Sequence, residues 1–275
     1  MALNDSAIKT YRYLRLAMVN VIVLLGLSVA VEWWKTGREC FQTSISAYYY
    51  TPVQAVFVGA LIAIGVCMFA IKGNTRWEDV LLNVGGMLAP AVAFVPTPGI
   101  GNCRSVSAGV PDSAANIANN MTALFIAGFL GLILGVSFLI RERQPLGPSW
   151  IGSGVSFVIL VGGFIWFLAG RHSFTKAAHY TAALLLFGCV VAVVVINARK
   201  SSSIRHTRLY RVIAVAMLAA LVIMLPLKWL ADWDHAILWL EGTLIVLFAA
   251  FWIAQTNELW NVGLRTSPDP PQSRQ

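Results

Sequence analysis

The chain has 275 residues, of which 58% are hydrophobic and only 12% charged. A soluble domain has about half apolar and about a quarter charged residues, so this composition leaves no room for one beside the long apolar runs that hold the excess. The net charge of +8 does not call for nucleic acid as a partner, because basic residues between apolar runs set membrane topology.

Eight apolar runs are expected to form helices, at residues 16–34, 53–71, 80–95, 118–140, 150–170, 177–198, 212–229 and 236–255. A crossing needs roughly 20 apolar residues at 1.5 Å rise each. In lipid every backbone polar group must pair within its own segment, so runs of this length are helix even where Val and Ile are frequent. The expected fold is therefore an all-α, polytopic transmembrane bundle of about eight spans.

Residues 1–15 form a basic lead carrying Lys9, Arg12 and Arg15, and the bundle is expected to occupy residues 16–260. Ser28-Val29-Ala30 would pass for a signal-peptidase site, whose use would leave seven spans, although the first run is long for a signal. Glu32 closes that run, and the connection after it holds Cys40 and the polar stretch 44–50. Span two contains Cys67, and span three contains Asn83 and Pro90. Pro90, like Pro226 in span seven, predicts a kink or local unwinding.

The connection 96–116 is rich in Gly, Pro, Ser and Asn, holds Cys103, and is expected to lack regular structure. Spans four and five are the most purely apolar. Gly128, Gly131 and Gly135 give span four a small-residue face, expected to serve packing within the molecule. His179 opens span six, Cys189 lies within it, and the basic cluster 199–211 follows. Asp232, Asp234 and His235 precede span eight, which carries Glu241. Residues 261–275 are expected to form a disordered tail.

With the N-terminus in the cytoplasm, the inner segments hold 14 of the Lys and Arg residues and the outer segments 6. That bias favours cytoplasmic termini at both ends, an even number of crossings and a plasma-membrane location. Cys40 and Cys103 then face the same oxidising side, where a disulfide between them is expected.

Sidedness also gathers the candidate chemistry. Glu32, Ser44, Ser46, Tyr49, His179, His235 and Glu241 all fall near the outer ends of their spans, as an outward-facing polar binding pocket would require. An ionisable residue inside a span is costly unless partnered or protonated, which singles out Glu241. Its replacement by Ala is expected to do more harm than that of Glu258, at the inner end of the same span. Ser46, His179 and Glu241 are the weak candidates for catalysis, with Ser46 as nucleophile and His179 as base. No G-x-S-x-G, phosphate loop or dinucleotide fingerprint accompanies them. His235 and Glu241 lie on different faces of a helix and no H-E-x-x-H pair occurs, so neither a metal nor another cofactor is expected.

The stretch Ser44-Ile45-Ser46-Ala47-Tyr48-Tyr49-Tyr50-Thr51-Pro52, followed by Phe57-Val58-Gly59, resembles the signature of an uncharacterised family of bacterial integral membrane proteins. Val95-Pro96-Thr97, His179-Tyr180-Thr181-Ala182-Ala183, Trp239-Leu240-Glu241 and Phe251-Trp252 agree with it. The eight-span form is similar to actinobacterial members. The family pattern has Arg-Asp just before Phe-Val-Gly, where this chain has Gln54 and Ala55. The resemblance implies a multi-pass membrane protein and carries no activity.

These observations lead to the expectation of a non-enzymatic accessory protein, or one that binds a small solute or lipid. A transporter or channel, and a membrane-embedded hydrolase using His179 and Glu241, are the alternatives. The expected partners are membrane lipids, with a membrane-protein partner or a second copy of the chain.

Overall fold

A computed structural model describes residues 5–38, 41–98 and 113–265. Among them are eight α-helices, one short 3-10 helix and no strands. The helices are α1 (Asp5–Lys35), α2 (Gln54–Ala70), α3 (Arg76–Phe94), α4 (Ser113–Arg141), α5 (Pro148–Ala169), α6 (Arg171–Lys200), α7 (Ile204–Leu230) and α8 (Ala236–Glu258). The 3-10 helix η1 (Ser46–Tyr50) lies between α1 and α2. Six helices are long and apolar enough to cross a membrane, and α2 is apolar but shorter, at 17 residues. The fold is consistent with a multi-pass membrane protein.

Each apolar run lies in its own helix, and most helices overrun the run that announced them. The apolar composition marks the segment that tolerates lipid, whereas the helix continues as long as its backbone bonds are met. The basic lead is thus already helical from Asp5, with Arg15 fully buried in it. Helix α3 starts at a Thr75 cap whose side chain accepts from the Glu78 N–H. It remains helical through Pro90, as α7 does through Pro226, so neither proline unwinds its helix.

The packing pairs define a ring. Helix α1 packs on α2, α2 on α3, α3 on α6, α6 on α7, α7 on α8, and α8 closes back on α1. The main apolar core fills this ring, with Met18, Met68, Leu82, Val193, Val194, Met217, Leu244, Phe251 and Trp252 nearly inaccessible. Helices α4 and α5 form a hairpin attached outside the ring, chiefly to α3. The α1 start and residues 259–265 meet at one end of the ring, where Arg12 Nε donates to the Trp260 carbonyl at 2.6 Å. Below, this is the termini end, and the opposite one is the η1 end. Residues 261–265, expected to belong to a disordered tail, instead form an ordered turn here, since Arg15 and Arg265 both tether them.

Glycine has two opposite uses. Gly65 of α2 and Gly86 of α3 face each other so closely that a Cβ on either would lie 2.8 Å from the other's carbonyl oxygen. On α4, Gly128 meets Leu160 of α5, but Gly131 and Gly135 have open space where a Cβ would go. The expectation that this face packs inside the molecule therefore holds only for Gly128. The hairpin covers one turn of the small-residue face and leaves the next two bare.

Candidate functional site

At the η1 end, the polar stretch 44–50 folds into the mouth of the ring. Ser44 Oγ accepts from the Ala47 N–H at 2.9 Å, which caps the start of η1. Thr51 Oγ1 donates to the Tyr48 carbonyl at 2.7 Å, which closes it. Between these, the Ser46 N–H and Oγ donate to the two carboxylate oxygens of Glu241, each at 3.0 Å. A short helix N-terminus presents unpaired N–H groups to an acceptor, and here the acceptor is the Glu241 carboxyl of α8. The Leu238 N–H reaches the Thr43 carbonyl at 3.0 Å, fixing the same loop to the first turn of α8.

Ser44–Tyr50, Val95–Thr97, His179–Tyr180 and Glu241 converge here, whereas Phe251 and Trp252 lie in the apolar core. His179 Nδ1 lies 2.7 Å from the Val95 carbonyl. A carbonyl only accepts, so Nδ1 carries the proton. Tyr50 donates to the Thr97 carbonyl at 2.9 Å, and Thr97 Oγ1 shares a 2.7 Å bond with the Tyr180 hydroxyl. Burial, aided by Tyr49 and Tyr180, pushes the Tyr50 phenol up to about 12, so it stays a donor throughout the physiological range. Tyr49 is buried and meets Tyr50 and Phe57 edge-on. His179 lies close enough to Glu241 to act on it electrostatically.

Ser44, Ser46, Tyr49, His179 and Glu241 form a polar cap at the η1 end: Ser44, Ser46 and Glu241 bind one another, whereas His179 binds the Val95 carbonyl and Tyr49 packs on Tyr50 and Phe57. Ser46 Oγ is engaged by Glu241 and by Ser44, at 3.1 Å, rather than by His179. A Ser46–His179 nucleophile–base pair is therefore not formed. His235 lies apart, stacked on Phe41 and 3.3 Å from its carbonyl. Among the described residues, no three His, Cys, Asp or Glu side chains are grouped to hold a metal ion. Cys40 and Cys103, the expected disulfide, lie outside the described residues.

Glu32 also separates from the cap and occupies different surroundings. The last turns of α1 and the start of α2 border a groove of about 350 Å³, lined by Leu24, Leu27, Val31, Glu32, Lys35 and Val56 among others. Leu24, Leu27 and Val31 continue onto the exposed apolar face of α1. Glu32 is only 6% exposed, yet no side-chain hydrogen bond or ion pair satisfies its carboxylate among the described residues. Lys35 lines the same groove and does not pair with it. Outside its lining, the Tyr48 hydroxyl and both polar atoms of the Gln42 side chain are buried without hydrogen-bond partners among the described residues. The Gln42 N–H approaches that hydroxyl without the alignment of a hydrogen bond, and Tyr48 lies within electrostatic reach of Glu32.

A second polar cluster, at the termini end, was not legible as a cluster in the sequence. Glu78 is 1% exposed and accepts from the Asn74 N–H at 3.0 Å, Asn197 Nδ2 at 3.0 Å and Gln255 Nε2 at 3.2 Å. Arg15, fully buried, donates to Gln255 Oε1 at 3.1 Å and to the Gly263 carbonyl at 2.8 Å. Arg265 joins Asn197 and pairs with Glu258, which also accepts from Ser201 at 2.6 Å and Tyr210 at 2.7 Å. Two guanidinium groups and two carboxylates thus balance inside one hydrogen-bonded network. Glu258, expected to matter less than Glu241, is one of its hubs. The only local signal was Thr75-x-x-Glu78, a capping-box pattern. In the sequence Arg15 reads as one more topology charge of the basic lead.

Between the two polar ends lies an apolar layer that includes Leu186 and Val190 of α6 and Leu244, Phe248 and Phe251 of α8. No protein-family model, curated protein or solved structure matches the chain.

Proposed function

We propose that the chain is a non-enzymatic plasma-membrane protein that crosses the bilayer eight times, with both termini cytoplasmic, and holds a membrane lipid between α1 and α2. The observation that carries this reading is the groove beside Glu32. Its volume falls within the range of small-molecule sites, about 300–1,000 Å³. Its walls are apolar and continuous with the exposed apolar side of α1, and it ends at the Glu32 carboxylate, which has no hydrogen-bond or ion-pair partner among the described residues.

The depth also suits a lipid. Trp33 and Trp34 flank the polar end, and tryptophans gather at the membrane–water interface. Leu24 and Glu32 are about 12 Å apart along the helix axis at 1.5 Å per residue, so the groove runs from interface depth into the acyl region. The closed cap of Ser46, His179 and Glu241 acts in this reading as the rigid support of the α1–α2 mouth. It offers no free nucleophile, and the apolar layer gives no favour to a transport path.

Native mass spectrometry of gently extracted protein tests this reading. A bound phospholipid is expected, and it is expected to be lost in Val56→Trp, which fills the groove without touching a polar group. Equal lipid retention by wild type and Val56→Trp would reject the groove as the binding site.

A further inference from the structure

The surface where α6 ends and α7 begins carries a charge that its own helices do not answer. Arg199 and Lys200 close α6, Arg205, Arg208 and Arg211 lie in the first turns of α7, and all are exposed. None of them takes part in an ion pair or a side-chain hydrogen bond among the described residues. No Asp or Glu occurs anywhere from Arg143 to Ala231, so α5, α6 and α7 bring no counter-charge. Topology does not require this, because basic residues set it and acids contribute little. Nor does α7 itself, since basic groups at a helix start oppose its dipole.

We propose that this surface binds an anionic phospholipid from the leaflet at the termini end, independently of the groove beside Glu32. Around α7, Arg208 lies about 60° from Arg205 and about 60° from Arg211, so the arginines fan across one exposed arc. Val212, Val215 and Val222 continue the same arc and are 64%, 65% and 70% exposed. From Val212 to Val222 the helix rises about 15 Å, half of a hydrocarbon core about 30 Å thick. An anionic headgroup at the arginines thus leaves its acyl chains beside bare apolar side chains. That continuity favours a lipid over a soluble acidic partner, which would leave the valines uncovered. Arginine suits the phosphate, because its planar fork holds two oxygens at once. A zwitterionic headgroup brings its own ammonium to the same surface and is held less well.

Delipidated protein in neutral detergent, titrated with phosphatidylglycerol and phosphatidylcholine and read by native mass spectrometry, tests the proposal. Wild type is expected to prefer phosphatidylglycerol by about tenfold or more, since each basic group near an anionic surface contributes about fivefold in affinity. Arg205→Gln, Arg208→Gln and Arg211→Gln together are expected to abolish the preference. Lys9→Gln, Arg141→Gln and Arg143→Gln remove the same charge from other exposed positions and are expected to keep it. Thermal unfolding of both triple variants, unchanged within a few degrees, separates lost recognition from lost folding. Should the α7 variant fold poorly, Arg208→Gln alone is expected to lower the preference about fivefold. An equal fall in both triple variants, or an undiminished preference in the α7 variant, would overturn the assignment. So would equally tight binding of inorganic phosphate or poly-glutamate, neither of which needs an apolar face. A preference lost in Val56→Trp and kept in the α7 variant would place the anionic lipid in the groove instead.

Discussion

Glu241 and Glu258 lie on one helix, and each is held by several donors at opposite ends of the bundle. Ser46 serves Glu241 through both its N–H and its Oγ. Ser46→Ala removes one of these two bonds, and a hydrogen bond contributes about 0.5–1.5 kcal/mol. A drop in melting temperature of a few degrees is expected, with Ser44→Ala milder because it leaves both Glu241 bonds in place. Glu258→Ala strands Arg265 and frees the hydroxyls of Ser201 and Tyr210. Its cost is therefore expected to match that of Glu241→Ala rather than fall well below it, as thermal unfolding in detergent would show. The sequence made Glu241 legible because an acid amid apolar residues stands out. Glu258 was not legible, because an acid beside polar residues at a run's end looks solvated until the chain after it folds back.

Helices α2 and α3 touch through backbone, and α4 barely touches the ring. Gly65→Ala would press a methyl against the Gly86 carbonyl. Overpacking of that kind costs about 1–3 kcal/mol, because backbone at a helix crossing cannot yield as a flexible side chain would. Gly131→Ala meets nothing within 4 Å and is expected to leave the melting temperature unchanged or slightly raised, since Ala is the better helix former. Equal losses from the two substitutions would show that α4 is engaged on that face as well. The helices themselves were legible from their apolar runs. Their partners were not, because Gly65 and Gly131 look alike in a sequence and differ only in what stands opposite.

For the whole molecule, closure of the ring brings the first and last helices together, and the buried network seals that seam. Arg15→Ala would leave the network with an excess of negative charge, and breaking a buried charge network from one side costs about 3–5 kcal/mol. Arg15→Ala is expected to yield little folded protein, while Arg12→Ala, at an exposed stacking contact on Trp260, is expected to be tolerated. Comparison of monodisperse yield after extraction checks this. Sidedness is testable separately, in a background free of native cysteines. Asp234→Cys is expected to react with a membrane-impermeant maleimide on intact cells, and Ser202→Cys only after lysis. The reverse pattern would invert the bundle and the expected position of Cys40 and Cys103.

What the sequence determined by itself is the solvent and the secondary structure: long apolar runs can satisfy their backbone in lipid only as helices. It also marked Glu241, the Ser44–Tyr50 stretch and His179, since polar groups among apolar neighbours need partners. Tertiary structure alone decided which partners they take. The cap closed on itself because η1 turned its N–H groups onto α8. Glu32 was left apart because its face of α1 meets the apolar start of α2. Arg15 became a core residue because α8 and the segment after it returned to the start of the chain. Each outcome depends on contacts between residues far apart in sequence, and neither hydropathy nor spacing encodes them.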